Sequence, residues 1–219
     1  MYKIMIADDH PLIREAISNL VQSTISPCTV LHAESLSDAK TQAQNHDDLD
    51  LILLDLHMPD MHGLDGLNQL RHQHPLIPVA ILSAEKDKSI MLQAVTAGAI
   101  GFINKAQPRD QLCAALRQLL DGQIYLPSEI IQETAPAAAD SNSTQPAPEI
   151  LASLTRKQLL VLERLALGEA NKQIAHHLNI AETTVKVHVS AILKKLGVRN
   201  RIQAVLSAGN IDFNYYLQR

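Results

Sequence analysis

The sequence is short of cysteine, of long apolar runs and of any strong overall charge. Only Cys28 and Cys113 occur, with no CxxC, so neither a disulfide framework nor a structural zinc site is indicated. A reduced setting fits. No apolar stretch approaches the roughly 20 residues that span a bilayer. The opening residues, Met-Tyr-Lys-Ile-Met-Ile-Ala-Asp-Asp-His, reach acids too early for a signal peptide. A soluble, cytoplasmic protein with no membrane partner is expected. The formal charge of the 219 residues is only −4, but it is unevenly spread. Residues 1–132 carry 9 Lys and Arg against 16 Asp and Glu, whereas residues 151–219 carry 10 bases against 4 acids. A split of that sign points to a nucleic-acid-binding tail on an acidic partner domain.

What is present is ordered alternation. Strand patterns over 3–8, 29–32, 51–55, 79–83 and 101–104 alternate with helical patterns over 12–23, 37–44, 64–72, 88–97 and 109–120. Strict alternation implies an α/β domain, a parallel sheet with helices on both faces. Continuous runs such as Leu51-Ile52-Leu53-Leu54 suit central strands buried on both sides. From Glu133 to Pro148 the chain reads ETAPAAADSNSTQPAP, too poor in large apolar residues to build a core. A linker is expected over 126–150, with the piece from Gly122 packing back on the first domain. From Leu154 onward the pattern is helical: a Thr155–Gln158 capping box, a stop at Gly168, a short helix 172–178, a turn at Asn179-Ile180-Ala181 and helices over 183–196 and 202–208. Short helix, tight turn and longer helix form the helix-turn-helix pattern.

In an open parallel sheet, ligands bind beyond the carboxyl ends of the strands. Those ends carry Asp8 and Asp9, Asp55, Ser83 and Lys105. Three carboxylates close together repel, and a hard divalent ion such as Mg²⁺ is the natural counter-charge. One carboxylate, held by the ion and Lys105, can attack phosphorus and form an acyl phosphate. The ion and Lys105 would neutralise charge on the phosphoryl oxygens, and the Ser83 hydroxyl can donate to one of them.

Four pieces, Asp8-Asp9, DLHMPDMHG from Asp55 to Gly63, Ser83 after Ile-Leu, and GFINK ending at Lys105, together resemble the two-component receiver domain. The likeness covers about residues 1–125. It implies a flavodoxin-like (βα)5 fold with strand order 2-1-3-4-5 and Asp55 as phosphoacceptor. By similarity Asp8, Asp9 and Asp55 bind Mg²⁺ with the backbone carbonyl of His57, and Ser83 and Phe102 match the family's switch pair. Phe102 stands where many receivers have Tyr, which leaves ring burial without a phenol hydrogen bond. Ala106 follows Lys105 where many have Pro, so no cis bond is expected there.

On the longer C-terminal helix, Val185, Val189, Ile192 and Leu196 form a core stripe. Lys186, Val187, Ser190 and Lys194 fall on other faces, able to meet base edges. Lys172, Lys195, Arg199 and Arg201 join Lys194 around this surface and suit phosphates. The run from Leu154 to Ala204 resembles the LuxR-type helix-turn-helix of NarL/FixJ-class response regulators, over about 151–208, most specifically in TVKVHV and KLGVRNR. By similarity Lys186 and Val187 read the major groove. Ala170 and Ala181 replace the family's usual capping serines, with Asn171 and Thr183 able to cap if the helices start later. Ser190 is often basic in relatives.

The expectation is a regulator, not an enzyme beyond assisting its own aspartyl phosphorylation: a receiver (1–125), a linker (126–150) and a DNA-binding domain (151–219). A cognate sensor histidine kinase, double-stranded DNA and a homodimer when active are the implied partners. The enzyme alternative is a phosphohydrolase of the haloacid-dehalogenase kind. It wants a second Asp two residues after the nucleophile, and His57 and His10 stand at those positions. A constitutive DNA-binding protein with a purely structural first domain is the third reading.

Overall fold

The computed structural model describes residues 1–127, 148–198, 201–208, 211 and 213–217. The chain divides into two compact units, one based on residues 1–120 and one C-terminal. In the first unit, five strands alternate with five helices: β1 Tyr2–Ala7, α1 Pro11–Thr24, β2 Cys28–Ala33, α2 Leu36–Asn45, β3 Leu51–Leu54, α3 Asp65–Gln73, β4 Val79–Ser83, α4 Lys88–Thr96, β5 Gly101–Asn104 and α5 Arg109–Leu120. All pairings are parallel in the order β2-β1-β3-β4-β5. The expected strand order is therefore the observed one.

The runs that read as central strands are buried throughout: each residue of β3 and β4 is covered. Layers of helix on both faces remove Ile4, Ile6, Leu53 and Ile81 from water, and each such side chain contributes about 1.5–3 kcal/mol. β2, at an edge, is only half-buried. Strands β1 and β3 stop one residue earlier than their patterns suggested, at Ala7 and Leu54. That places Asp8, Asp9 and Asp55 just past the sheet, where side chains turn toward the crevice rather than into the two-sided core.

The segment after α5 does pack back. Tyr125 bridges the outer edge of β5, its N–H donating to Ile100 O (3.2 Å) and its carbonyl accepting from Phe102 N (2.9 Å). Gly101 has no room for a side chain there, since a Cβ would lie 2.8 Å from Tyr125 O. Residues 128–147, most of the expected linker, lie outside the described residues.

The second unit holds α6 Pro148–Ala152, α7 Arg156–Ala166, α8 Asn171–Leu178, α9 Glu182–Leu196, α10 Arg201–Ala208 and α11 Phe213–Leu217. Helix α6 begins three residues inside the expected linker, at Pro148, and its Leu151 is buried. Helix α11 had no clear pattern. The Thr155 capping box is present, with Gln158 N donating to Thr155 Oγ1 (3.3 Å) and Thr155 N donating to Gln158 Oε1 (3.0 Å). Helix α7 ends before Gly168, φ +83°, and α8 ends in left-handed Asn179, φ +50°, which makes the tight turn. Helices α8 and α9 do not shift their starts: Ala170 and Ala181 are the extended N-caps and neither has a side-chain cap. Gln173 Oε1 still accepts from Ala170 N (2.7 Å), so half of a capping box survives. The core stripe of α9 is Val185, Val189, Ile192 and Leu193. Leu196, at the helix end, is only half-buried.

Candidate functional site

The crevice at the carboxyl ends of β1, β3, β4 and β5 gathers the residues expected there. Backbone bonds fix each one: Asp8 N donates to Ala33 O (3.1 Å), Asp55 N to Ala7 O (2.8 Å) and Lys105 N to Ser83 O (2.9 Å). The Lys105 ammonium lies between two acids, 2.6 Å from Asp8 Oδ2 and 2.7 Å from Asp55 Oδ2. Asp8 and Asp55 are almost fully buried, at 0% and 2% exposure, and at such sites an unpaired charge is costly. Two carboxylates share one cation, leaving excess negative charge, and Asp55 Oδ1 is buried with no hydrogen-bond partner.

Asp9 completes an acidic cluster with Asp8, His10 and Asp55, one ligand atom from each lying within 4.8 Å of the others. Three carboxylates with an unsatisfied buried oxygen among them fit a hard divalent cation. Ser83, also buried, accepts from Glu85 N through Oγ (3.3 Å). The Phe102 ring is fully inside the core. The exposed His57 side chain turns to Glu85, Nε2 to Oε2 3.8 Å.

Four further residues support the crevice without having been singled out in the sequence. His10 Nδ1 sits 2.7 Å from Asp9 Oδ1 and 3.2 Å from Asp8 Oδ1. Buried Arg14 donates to the Asp8 carbonyl (2.6 Å) and to Glu34 Oε1 (2.7 Å). Glu85 fixes its own loop by accepting from Lys86 N and Asp87 N. Asp60, in the loop after β3, accepts from Leu36 N and Ser37 N (both 2.9 Å) and so caps α2. Desolvation is the largest single influence and works to raise its pKa, but the N–H donors of Leu36, Ser37 and Asp60 itself, together with the nearby charge of Lys40, outweigh it and hold the carboxyl below the usual carboxylate value. Only His10 carried a signal, its place directly after two acids.

On the C-terminal unit, Val187, Ser190 and Lys194 are exposed on α9, with Val187 66% exposed. Lys186 lies 3.9 Å from Glu182, one turn back, and Lys172 is half-buried on α8. Two expected phosphate ligands have internal work. Lys195 Nζ donates to Ser153 O (2.6 Å) and Gln158 Oε1 (3.0 Å), tying α9 to the start of α7. Arg201 donates to Glu169 O and, at 3.3 Å, to Asn171 Oδ1, and burial lowers its pKa to about 10. Spacing along the chain could not reveal either partner. Arg199 lies outside the described residues.

Residues 4–117 match the response regulator receiver domain family, and residues 152–208 match the luxR family of bacterial regulatory proteins. The chain belongs to the DNA-binding response regulators. It is 58% identical to the glycerol metabolism activator of Pseudomonas putida over the full length of both chains. With the nitrate/nitrite response regulator protein NarP of Escherichia coli K12 it shares 35% identity, over 94% of this chain and 93% of that one. Among solved structures, a LuxR family DNA-binding response regulator from Silicibacter pomeroyi shares 36% identity and a TM-score of 0.53 over 59% of this chain and 99% of that one. This response regulator is thus a transcriptional regulator of a two-component system, not an enzyme of the phosphohydrolase kind. Among its described residues no helix is long and apolar enough to cross a membrane.

Proposed function

We propose that Asp55 is the phosphoacceptor and that its phosphorylation controls DNA binding by the C-terminal unit. The observation that carries this reading is the Lys105 ammonium shared by Asp8 and Asp55 while Asp55 Oδ1 remains buried and unpaired. That oxygen is the available nucleophile. It attacks phosphorus on the phosphohistidine of a cognate sensor kinase, or on a small phosphodonor; the new P–O bond forms as the P–N bond breaks, and the electron pair leaves on the imidazole. Asp8, Asp9, Asp55 and the His57 carbonyl would hold Mg²⁺, which supplies positive charge against the phosphoryl oxygens. Lys105 then exchanges its contact with Asp55 for one with the phosphoryl group.

Ser83 sits on β4 beside β5, paired with Asn104. A hydroxyl that turns from Glu85 N toward a phosphoryl oxygen pulls the end of β4 with it and biases β5, where Phe102 is packed. The response is release of the DNA-binding domain or homodimerisation, and a dimer reads a two-fold operator. Lys186, Val187 and Ser190 would contact bases; Lys172, Lys194 and Arg199 would meet phosphates, as would Lys195 and Arg201 if their internal bonds yield. The domain limits 1–125, 126–150 and 151–219 frame this reading, with α6 belonging to the last. A cytoplasmic location fits both partners. The likeness to a glycerol metabolism activator supports genes of glycerol metabolism as targets.

The test is incorporation of phosphate from acetyl phosphate with Mg²⁺, paired with operator-fragment binding. Wild type should label and bind more tightly when labelled, and Asp55→Ala should do neither. Equal labelling of both proteins would sink the proposal.

A further inference from the structure

Helix α8 is weakly embedded for an element that must hold its neighbour α9 in place. Of its eight residues only Ile174 and Ala175 are buried, and Ala170 leaves its start without a side-chain cap. We propose that Glu169 is a positioning residue for DNA recognition, clamping α8 so that α9 meets the duplex at one fixed angle. The inference rests on the reading of α9 as the helix that contacts bases.

Three basic side chains converge on this one residue. Arg164, in the last turn of α7, donates from Nη1 to Glu169 Oε1 (3.2 Å). His177, in the last turn of α8, places Nδ1 2.8 Å from Glu169 Oε2. Arg201, the first residue of α10, donates to the Glu169 carbonyl and, at 3.3 Å, to Asn171 Oδ1 at the start of α8. Both ends of α8 are thereby tied to a corner shared with α7 and α10. The Glu169 N–H completes that corner by donating to Arg164 O (3.1 Å).

Exposed ion pairs contribute little, because water and salt compete for both partners. The Glu169 side chain is only 16% exposed, and its two oxygens are divided between different helices. Turning α8 therefore breaks a bond at one end or the other. The motion passes straight to α9, since only Asn179, Ile180 and Ala181 separate the two helices and Ile180 N is bonded back to Ala175 O (3.0 Å). Base contacts tolerate little rotation, because hydrogen bonds weaken steeply with angle. Phosphate contacts from long lysines are more forgiving. Loss of the clamp thus lowers sequence discrimination before it lowers affinity for DNA in general. The competing account is a purely structural role, in which Glu169 only stabilises the unit.

Full-length protein treated with acetyl phosphate and Mg²⁺ is titrated by fluorescence anisotropy against two duplexes, one selected by the wild type from random sequence and one scrambled from it. Calorimetry fixes a temperature at which each variant is folded. Glu169→Ala should lose about tenfold in affinity for the selected duplex and less than about twofold for the scrambled one. Glu169→Gln keeps an acceptor for one partner and should recover part of that loss. Should Glu169→Ala not fold, Arg164→Met answers by the same comparison, with about a threefold loss on the selected duplex alone. Equal losses on both duplexes, or none on either, mark a structural role only and overturn the positioning role while leaving α9 as the reader. A variant with Lys186, Val187 and Ser190 all changed to alanine that discriminates like the wild type removes the reading of α9, and the inference with it.

Discussion

Arg14 Nη1 donates to the backbone carbonyl of Asp8 at 2.6 Å, so a buried arginine one turn into α1 sets where the first acid of the pocket stands. Its Nη2 is held by Glu34 at 2.7 Å. Replacing it by Met keeps the packing of the stem but leaves the Asp8 carbonyl unpaired, at a cost of about 1–3 kcal/mol. Urea unfolding of Arg14→Met should show that loss. Acetyl phosphate labelling should slow as well, because the acid pair loses its anchor.

The shared cation between Asp8 and Asp55 makes a double-mutant cycle informative. Lys105→Met leaves two buried carboxylates facing each other and should destabilise the receiver by about 3–5 kcal/mol. Asp55→Asn removes one of the opposed charges, so the double variant should recover part of that loss. Additive losses in thermal unfolding would contradict a shared ion pair. Both variants should fail to label.

Asp60 caps α2 through two backbone N–H groups, which help to hold its carboxyl below the usual carboxylate value. A group with a depressed folded pKa contributes stability above its unfolded value and loses it as pH falls through the folded one. The cap should therefore be fully present at neutral pH and begin to weaken only as the pH falls below about 4. Asp60→Ala should lower stability by about 1 kcal/mol at pH 7, with the difference from wild type shrinking as the pH falls below the ordinary carboxylate range.

Helices α8 and α9 begin at alanines whose backbone is already extended, φ −64° and ψ 157° at Ala170, φ −67° and ψ 146° at Ala181. Serine fits that conformation and supplies the missing acceptor. Ala170→Ser and Ala181→Ser should each stabilise the C-terminal domain by about 1 kcal/mol, raising its Tm by about 4–8 °C. Differential scanning calorimetry would measure it.

Lysines 194 and 195 are neighbours with opposite duties. Lys194 is exposed, whereas Lys195 holds Ser153 O and Gln158. Lys194→Ala should reduce the slope of log affinity against log salt by about 0.9 per protomer and leave thermal stability unchanged. Lys195→Ala should lower the Tm, since α9 loses its tie to α7. Fluorescence anisotropy over a salt series, alongside calorimetry, separates the two.

Much of this was readable along the chain. Alternation gave the parallel sheet because a strand covered on both faces must be apolar at every position, as Leu51–Leu54 is. The crevice followed from topology: strand ends converge, so Asp8, Asp55, Ser83 and Lys105 had to meet. Three-dimensional partnerships were not readable. Nothing in the spacing of Arg201 tells that it reaches Glu169 and Asn171, or that Lys195 serves Ser153. Helix α6 escaped notice because five residues carry too little periodicity, and Leu151 is its single buried one.

Tyr125 closes the account of β5. By bonding Ile100 and Phe102 it occupies the row of backbone groups that an edge strand otherwise offers to a visiting chain. Receiver units therefore cannot join by adding strands at this side of the sheet, which leaves β2, among the described residues, as the edge strand without such a cover. The same bond makes Tyr125 the place where the path toward the second unit takes hold of the sheet. Any shift of β5 is therefore met first at Tyr125.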